Sequence, residues 1–423
     1  MIRIQFTVAT NWDFKLIDEL AKYNVRDLYG VAKSSIVGHG RPSFLLNEVS
    51  EEEIAEYIKK VHEKKMKFSY LLNAPCMNNM EYDAEYHKKL LNYIEWIEDI
   101  GSDNVIVTIP FLIHLIKEQF PKLKIRVSTI AHVNSVNRAK FYEAMGADEI
   151  TPDVMINRDF KTLEKIQKAV KCDLVLLLTD GCLYQCPFRY YHYNILGHSS
   201  QSQHELKGYY IDYCILNCSV IKFSNPTEVI KARWVRPEDL SHYEAIGIDK
   251  FKIAGRRMPT EWILRAVKAF SSRKYNGNLI DIIQGFSMSV GVEKDPNANF
   301  ISTIGKEPKG KLIIDNTKLD GFIEFFKKQD CISMCDDCNY CENWAKKAVI
   351  LDKEQAPRYV ETLEGYIKNI ITSQEFGITS NKQEVKETKA LEWNSATKKI
   401  FEDLIQLSPQ QFQSIPQLIP VME

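Results

Sequence analysis

Long apolar runs are missing from this 423-residue sequence; none reaches the roughly 18 residues of a membrane-spanning helix, so no span is expected. A dominant charge is missing too. Lys and Arg number 55 against 56 Asp and Glu, a formal net charge of -1, which removes the simplest electrostatic case for a general nucleic-acid binder. The opening MIRIQFTVATNWDF has neither the basic leader nor the small-residue cleavage site of a secretory signal, and a cytoplasmic protein is expected. GxSxG, HExxH and P-loop spacings are also absent, so standard serine hydrolase, zinc protease and P-loop nucleotide chemistries lack their motifs.

What is present is an ordinary globular composition, 45% hydrophobic and 26% charged, with an unusual arrangement of ten cysteines. Cytosolic thiols are kept reduced, so structural disulfides are not expected. Cys76 and Cys172 stand alone. The other eight form two groups of four, Cys182, Cys186, Cys214 and Cys218, then Cys331, Cys335, Cys338 and Cys341, and grouping of this kind points to metal.

Short β-branched runs alternate with amphipathic segments along the first two thirds of the chain. Strands are expected at Ile2–Val8, Asp27–Val31, Lys67–Leu72, Asn104–Ile109, Ile125–Ile130, Glu149–Pro152, Leu174–Thr179 and Lys250–Ile253. Between them, helices are expected at Phe14–Tyr23, at Ser50–Lys64 with a Ser50/Glu53 capping box, at Asp83–Ile100 and over Arg236–Ala245. Eight strands with intervening helices predict a parallel (β/α)8 TIM-like barrel, with chemistry on the loops that leave the C-terminal strand ends. A doubly wound open sheet would want a glycine-rich loop after the first strand, where this chain has Ala9-Thr10-Asn11.

The barrel is expected to occupy residues 1–275, with an insertion at 180–249 too long for an ordinary βα loop. Residues 276–350 form a cysteine-rich extension with the second quartet, and 351–423 a helical and polar tail. Within that tail, Ser373–Glu387 has the composition of a linker, and Ser408–Glu423 that of a loosely ordered or docking end.

The first quartet sits immediately beyond the seventh strand, in DGCLYQCPFRYYHYNILGH and YCILNC. Two short pairs of thiolates can surround one centre, and the three-residue gaps suit iron–sulfur better than the two-residue gaps of zinc ribbons. Zinc pinning the loop remains the rival. Seven tyrosines from Tyr184 to Tyr213, together with Arg189 and His192, suit the enclosure of a planar substrate, and those last two are tied by sequence to the cysteine turn. The second quartet contains CxxCxxC, the local spacing that ferredoxins wrap around a cluster, completed by Cys331. Read from its other end it superficially matches the radical S-adenosylmethionine motif. That reading is set aside because the motif follows the barrel, and Cys341 would occupy the iron those enzymes leave open. In GHGRP, Gly38–Pro42, an anion could meet backbone amides, His39 and Arg41, but the sequence favours a plain turn.

FKIAGRRMPTEWILRAVKAF, Phe251–Phe270, resembles the strand ending in K-I-x-G-R and the following helix of the peptidase U32, or collagenase-like, family. STIAHVNSVNRAKFYEAMGADEITPDVMINRDFKTLEKI, with its Arg158-Asp159 turn, and WVRPEDLSHYEAIGIDKFKI support the resemblance, which spans roughly Met1–Tyr275. It implies an open or distorted barrel and a 4Fe-4S cluster held by four cysteines. It also implies kinship with enzymes associated with oxygen-independent hydroxylation of RNA bases or quinone precursors, despite the peptidase name. Two features depart from the family: Ala254 stands where K-I-E-G-R has its acid, and the cysteine loop reads CLYQCPFR. The second quartet is extra.

The expectation is therefore an iron–sulfur redox-modifying enzyme, with Cys182, Cys186, Cys214 and Cys218 holding the cluster and Arg189, His192, Lys252 and Arg256 orienting an anionic or planar substrate. RNA, peptide and small-molecule substrates stay open, and an external electron donor is implied. A U32-type peptidase and a zinc-stapled binding protein without catalysis are the alternatives.

Overall fold

Eight short strands pair in chain order and the last returns to the first in the computed structural model, which describes residues 4–41, 43, 46–204, 213–285, 312–329, 331, 335 and 337–372. They are β1 (Gln5–Ala9), β2 (Val25–Gly30), β3 (Lys67–Leu72), β4 (Asn104–Val107), β5 (Lys124–Val127), β6 (Glu149–Ile150), β7 (Asp173–Leu177) and β8 (Lys250–Ile253), all parallel. The predicted strands all occur, within a few residues. The barrel is closed, which corrects the open or distorted form that the family resemblance implied. Closure comes from β1 against β8 in register, Gln5 to Lys250 through Val8 to Ile253, with Phe6 and Phe251 both buried.

Crossover helices cover the barrel: α1 (Phe14–Leu20), α2 (Glu51–Glu63), α3 (Ala84–Asp99), α4 (Pro110–Gln119), α5 (Val136–Ala144) and α6 (Phe160–Ala169). Their starts are written in the sequence. Asp13, Ser50, Asp83, Ser135 and Asp159 each accept a hydrogen bond from a first-turn amide, and Ser50 with Glu53 completes the expected capping box. The insertion between β7 and β8 carries α7 (Arg189–Ser200), α8 (Tyr213–Ser224), α9 (Pro226–Lys231) and α10 (Leu240–Glu244), and α11 (Thr260–Ser272) follows β8. Beyond the barrel, β9 (Leu312–Ile314) pairs antiparallel with β10 (Val349–Leu351), accompanied by α12 (Glu324–Lys328), α13 (Tyr340–Ala348) and α14 (Gln355–Thr372). α14 lies against α8, with Tyr359 edge-on to Phe223 at 5.0 Å. The segments Ser373–Glu387 and Ser408–Glu423 lie outside the described residues.

Alternate positions on a barrel strand face inward and outward. Outward residues such as Phe68, Val105 and Ile125 are apolar and buried under the helices. The interior carries charge. Arg126 is completely buried, with Nη2 3.0 Å from Asp27 Oδ2 and Nε bonded to Glu149. Asp27 also accepts from Thr7 and, at 2.7 Å, from Ser69 Oγ, which in turn accepts from Asn104 Nδ2 at 3.0 Å. Burial works against the charge on Arg126, yet the two carboxylates outweigh it and hold the guanidinium above its ordinary value.

Removing one member of such a network strands the others. Arg126→Met is expected to cost about 3–5 kcal/mol, because Asp27 and Glu149 would be left buried with less compensation. Urea unfolding of wild type and variant checks this, and a change of a few tenths would contradict it.

Candidate active site at the barrel mouth

Above the charged layer the strand ends open into a small mouth lined by Tyr29, Asn73, Ser128, Asp180, Lys252 and Arg256, with Arg41 reaching over it. β2, β3, β5, β7 and β8 contribute through their C-terminal ends or the loops beyond them, the end where barrel geometry places a site. Tyr29 stands two residues above Asp27 on β2 and so faces inward with it. Lys252 is on β8, the strand on the other side of β1 from β2, with Nζ 3.9 Å from the centre of the Tyr29 ring.

The mouth is cationic. Burial pushes the Lys252 amine well below the ordinary lysine value, and Arg126 below it and Arg256 above it push the same way. Among the described residues Lys252 has no ion-pair partner. Arg256 follows β8 by three residues; burial first, then Arg41, lowers its guanidinium to about 9, and its Nη1 is buried with no hydrogen-bond partner. Ala254 adds no carboxylate to this rim, and among the described lining residues Asp180 is the acid that faces Arg41, Lys252 and Arg256.

Arg41 is the residue that sequence reasoning undervalued. The GHGRP segment folds back over the mouth, where Arg41 Nη2 donates to Gln284 Oε1 at 3.0 Å and Nη1 to Gly40 O at 2.9 Å. Its path is fixed from behind by α7. Ser200 Oγ accepts from the His39 amide at 2.8 Å, and Gly38, at φ 81°, lies so close to Gly197 O that a Cβ would come within 2.6 Å. His39 itself is buried and held neutral, its ring lowered to about 3 by burial and then by Arg256. A glycine on each side of a histidine, followed by arginine, was the available signal. Nothing local says that the loop closes on a distant strand end.

The first cysteine pair sits beside this mouth. Cys182 follows β7, its amide donating to Asp180 Oδ1 at 2.9 Å, and it packs with Tyr184 against Val154, Met155, Leu177 and Ala254. Gln185 takes a left-handed conformation, φ 52°, turning the chain between Cys182 and Cys186. On α8, Cys214, Cys218 and Lys222 are spaced four apart and so share one stripe of the helix. Cys186 lies within electrostatic reach of Cys218, and Cys182 and Cys186 both of Arg189 and Lys222. The loop pair and the α8 pair therefore come to the same side of the barrel. Among the described residues, no three His, Cys, Asp or Glu side chains are gathered closely enough to hold a single metal ion.

Arg189 and His192 divide in role. Arg189 opens α7 and pairs with Asp153 at 2.6 Å, while Asp153 also meets His132 Nδ1 at 3.0 Å. Burial raises the Asp153 carboxyl, but His132 and Arg189 outweigh it and leave it lowered. This clamp ties α7 to the loops after β5 and β6, placing Arg189 behind the mouth. His192, one turn on, is lowered to about 4 by burial and by Arg41, and Asp180 opposes them, which puts it beside the rim.

The model of Peptidase family U32 matches residues 40–175, from the GHGRP turn into β7, and so stops short of the first cysteine pair. The chain is 31% identical over 318 residues to the uncharacterized protease MJ1657 of Methanocaldococcus jannaschii, covering 74% of this chain and 86% of that protein. Among solved structures it is similar to the U32 peptidase Mk0906, with TM-score 0.46 and 17% identity over 61% of this chain and 95% of that one. The YdjI aldolase of Escherichia coli K12 gives TM-score 0.33 and 13% identity over 64% and 88% of the two chains.

An anion in the mouth would favour the protonated amine of Lys252, so anion affinity falls as pH rises through that titration. Sulfate is expected to raise the melting temperature of the wild type at neutral pH, and less so as pH rises. Arg256→Gln should retain only the general salting effect that sulfate has on any protein. Scanning fluorimetry across a pH series measures both, and an undiminished shift in the variant would remove the mouth as an anion site.

Proposed function

Because the chain belongs to peptidase family U32, we propose that it is an iron–sulfur enzyme that modifies an anionic substrate by redox chemistry at the barrel mouth. One observation carries this: Cys182 and Cys186 lie beside a cationic pocket and share the neighbourhood of Lys222 with the α8 cysteines. The donor set fits the group. These are four soft thiols, three of them partly exposed at one side of the barrel, and thiolates are the ligands iron–sulfur clusters take. A zinc ion needs its sulfurs about 2.3 Å from one point, whereas a four-iron cluster gives each thiolate its own iron and holds them farther apart.

When bound, the cluster would supply one-electron chemistry, fed by an external donor. The chain's own residues do the rest. Arg41 and Arg256 bind the substrate's negative charge, and the Tyr29 face sets the depth at which it stops. Lys252, with its depressed amine, can give up or take back a proton at Nζ. Asp180 holds the Cys182 turn, and the Arg189–Asp153–His132 clamp keeps α7 closed over the rim. The substrate can be an RNA, a peptide or a small molecule bearing such a charge.

Peptide hydrolysis is the second reading, and only the family name favours it. Of the wall hydroxyls, Thr129 Oγ1 donates to Pro152 O at 2.9 Å, and Ser128 Oγ accepts from Asn73 and the Ile130 amide. Neither is bonded to Lys252, as an activated nucleophile would be.

Anaerobic purification tests the proposal. Cys186→Ser combined with Cys218→Ser is expected to lose about four irons and four acid-labile sulfides per chain relative to wild type. Unchanged sulfide in that variant, or peptide cleavage that survives it, would overturn the reading.

A further inference from the structure

The second cysteine group is not part of the mouth, yet the barrel has built a surface for it. Cys331, Cys335, Cys338 and Cys341 fall within eleven residues, and Cys341 lies within electrostatic reach of Cys331 and Cys335. Cys338 stands two residues ahead of α13, and its Sγ accepts the amide of Tyr340, the first residue of that helix, at 3.4 Å. Three cations face these sulfurs. Arg233 Nη2 donates to Cys331 Sγ at 3.2 Å, Arg158 neighbours Cys341, and Lys231 neighbours Cys335 and Cys341.

The burial of these arginines is the telling point. Arg158 and Arg233 are 2% and 3% exposed and within reach of each other's charge. Arg158 is covered by Trp234 and Phe322, 4.4 and 4.7 Å from their ring centres, and its nitrogens go to the Ile230 and Trp234 carbonyls at 2.7 and 3.0 Å. Arg233 Nε is buried with no hydrogen-bond partner. Neither arginine has a carboxylate ion pair among the described residues: Glu228 is taken by Lys231 at 2.9 Å, and Asp239, buried and within electrostatic reach of Arg158, stands 3.7 Å from Arg236 and answers Arg158 only in part. Two like charges out of water are costly unless something negative stands beside them. Neutral thiols would not offset that cost. Four thiolates on a cluster would.

We infer that Cys331, Cys335, Cys338 and Cys341 hold a second iron–sulfur cluster, docked on the barrel by Arg158 and Arg233. The CxxCxxC spacing suits a cluster. Arg233 also joins the two cysteine groups. Its guanidinium carbon lies 3.7 Å from the centre of the Tyr184 ring, and Tyr184 is the middle one of the three residues between Cys182 and Cys186 in the mouth turn. The cluster is thus two contacts from the mouth, Cys331 to Arg233 and Arg233 to Tyr184.

The test uses full-length protein purified without oxygen, as wild type, as Cys335→Ser with Cys341→Ser, and as Cys186→Ser with Cys218→Ser. Iron, zinc and acid-labile sulfide are measured with electron paramagnetic resonance after reduction. The first double variant is expected to lose about half of the iron and sulfide and one resonance, with the other resonance intact. The mouth variant reports separately: if it loses nothing while the first loses its cluster, the function proposed above fails and this site stands. Arg233→Gln keeps every thiol and should lower the midpoint potential of the second cluster, since a lost positive charge disfavours the added electron. Unchanged sulfide in Cys335→Ser with Cys341→Ser, or zinc in place of iron, overturns the site; an unchanged potential in Arg233→Gln overturns its docking.

Discussion

Arg126, buried between Asp27 and Glu149, plugs the closed barrel, and the mouth above inherits its field. A closed ring of eight strands leaves an interior that side chains must fill, and most barrels fill it with branched apolar residues. Here the filling is ionic. Lys252 lies over a guanidinium rather than over hydrocarbon, with Arg256 and Arg41 beyond it, and among the described residues the acid on the lining is Asp180.

The same arrangement of buried cation beside soft sulfur occurs twice. At the mouth, Arg189 and Lys222 flank the loop cysteines; at the far group, Arg158 and Arg233 flank Cys331 and Cys341. The arginines also differ in their anchors. Arg189 is tied to Asp153 by a full ion pair, while Arg158 is held by backbone carbonyls and aromatic faces. An arginine paired with a carboxylate has its charge answered and acts as a clamp. One held by carbonyls and rings keeps its charge available to a neighbour.

Much of the frame was legible locally. The strands show as β-branched runs, and Ser50 with Glu53 or Asp83 ahead of Ala84 mark helix starts, because a cap is a contact between residues three apart. That Lys252 and Arg256 stand at the barrel mouth was legible, because each lies at or just past a strand end. Arg189 holds α7 through Asp153, a partner 36 positions back in the chain that no local pattern announces. Arg41 was passed over as a turn residue for the same reason. Its place is set by Gly38 against α7 and by Gln284 far down the chain.

By itself the sequence determined the order of strands and helices, the capping of the crossovers and the grouping of the cysteines, since each depends on periodicity or short spacing. Only the tertiary structure decided that the barrel closes, that Arg41, Lys252 and Arg256 share one mouth, and that Arg233 stands between the two cysteine groups. Those are meetings of residues tens to hundreds of positions apart. They depend on which side chains the closed ring turns inward and which loops it folds over its rim, and spacing along the chain carries no record of that.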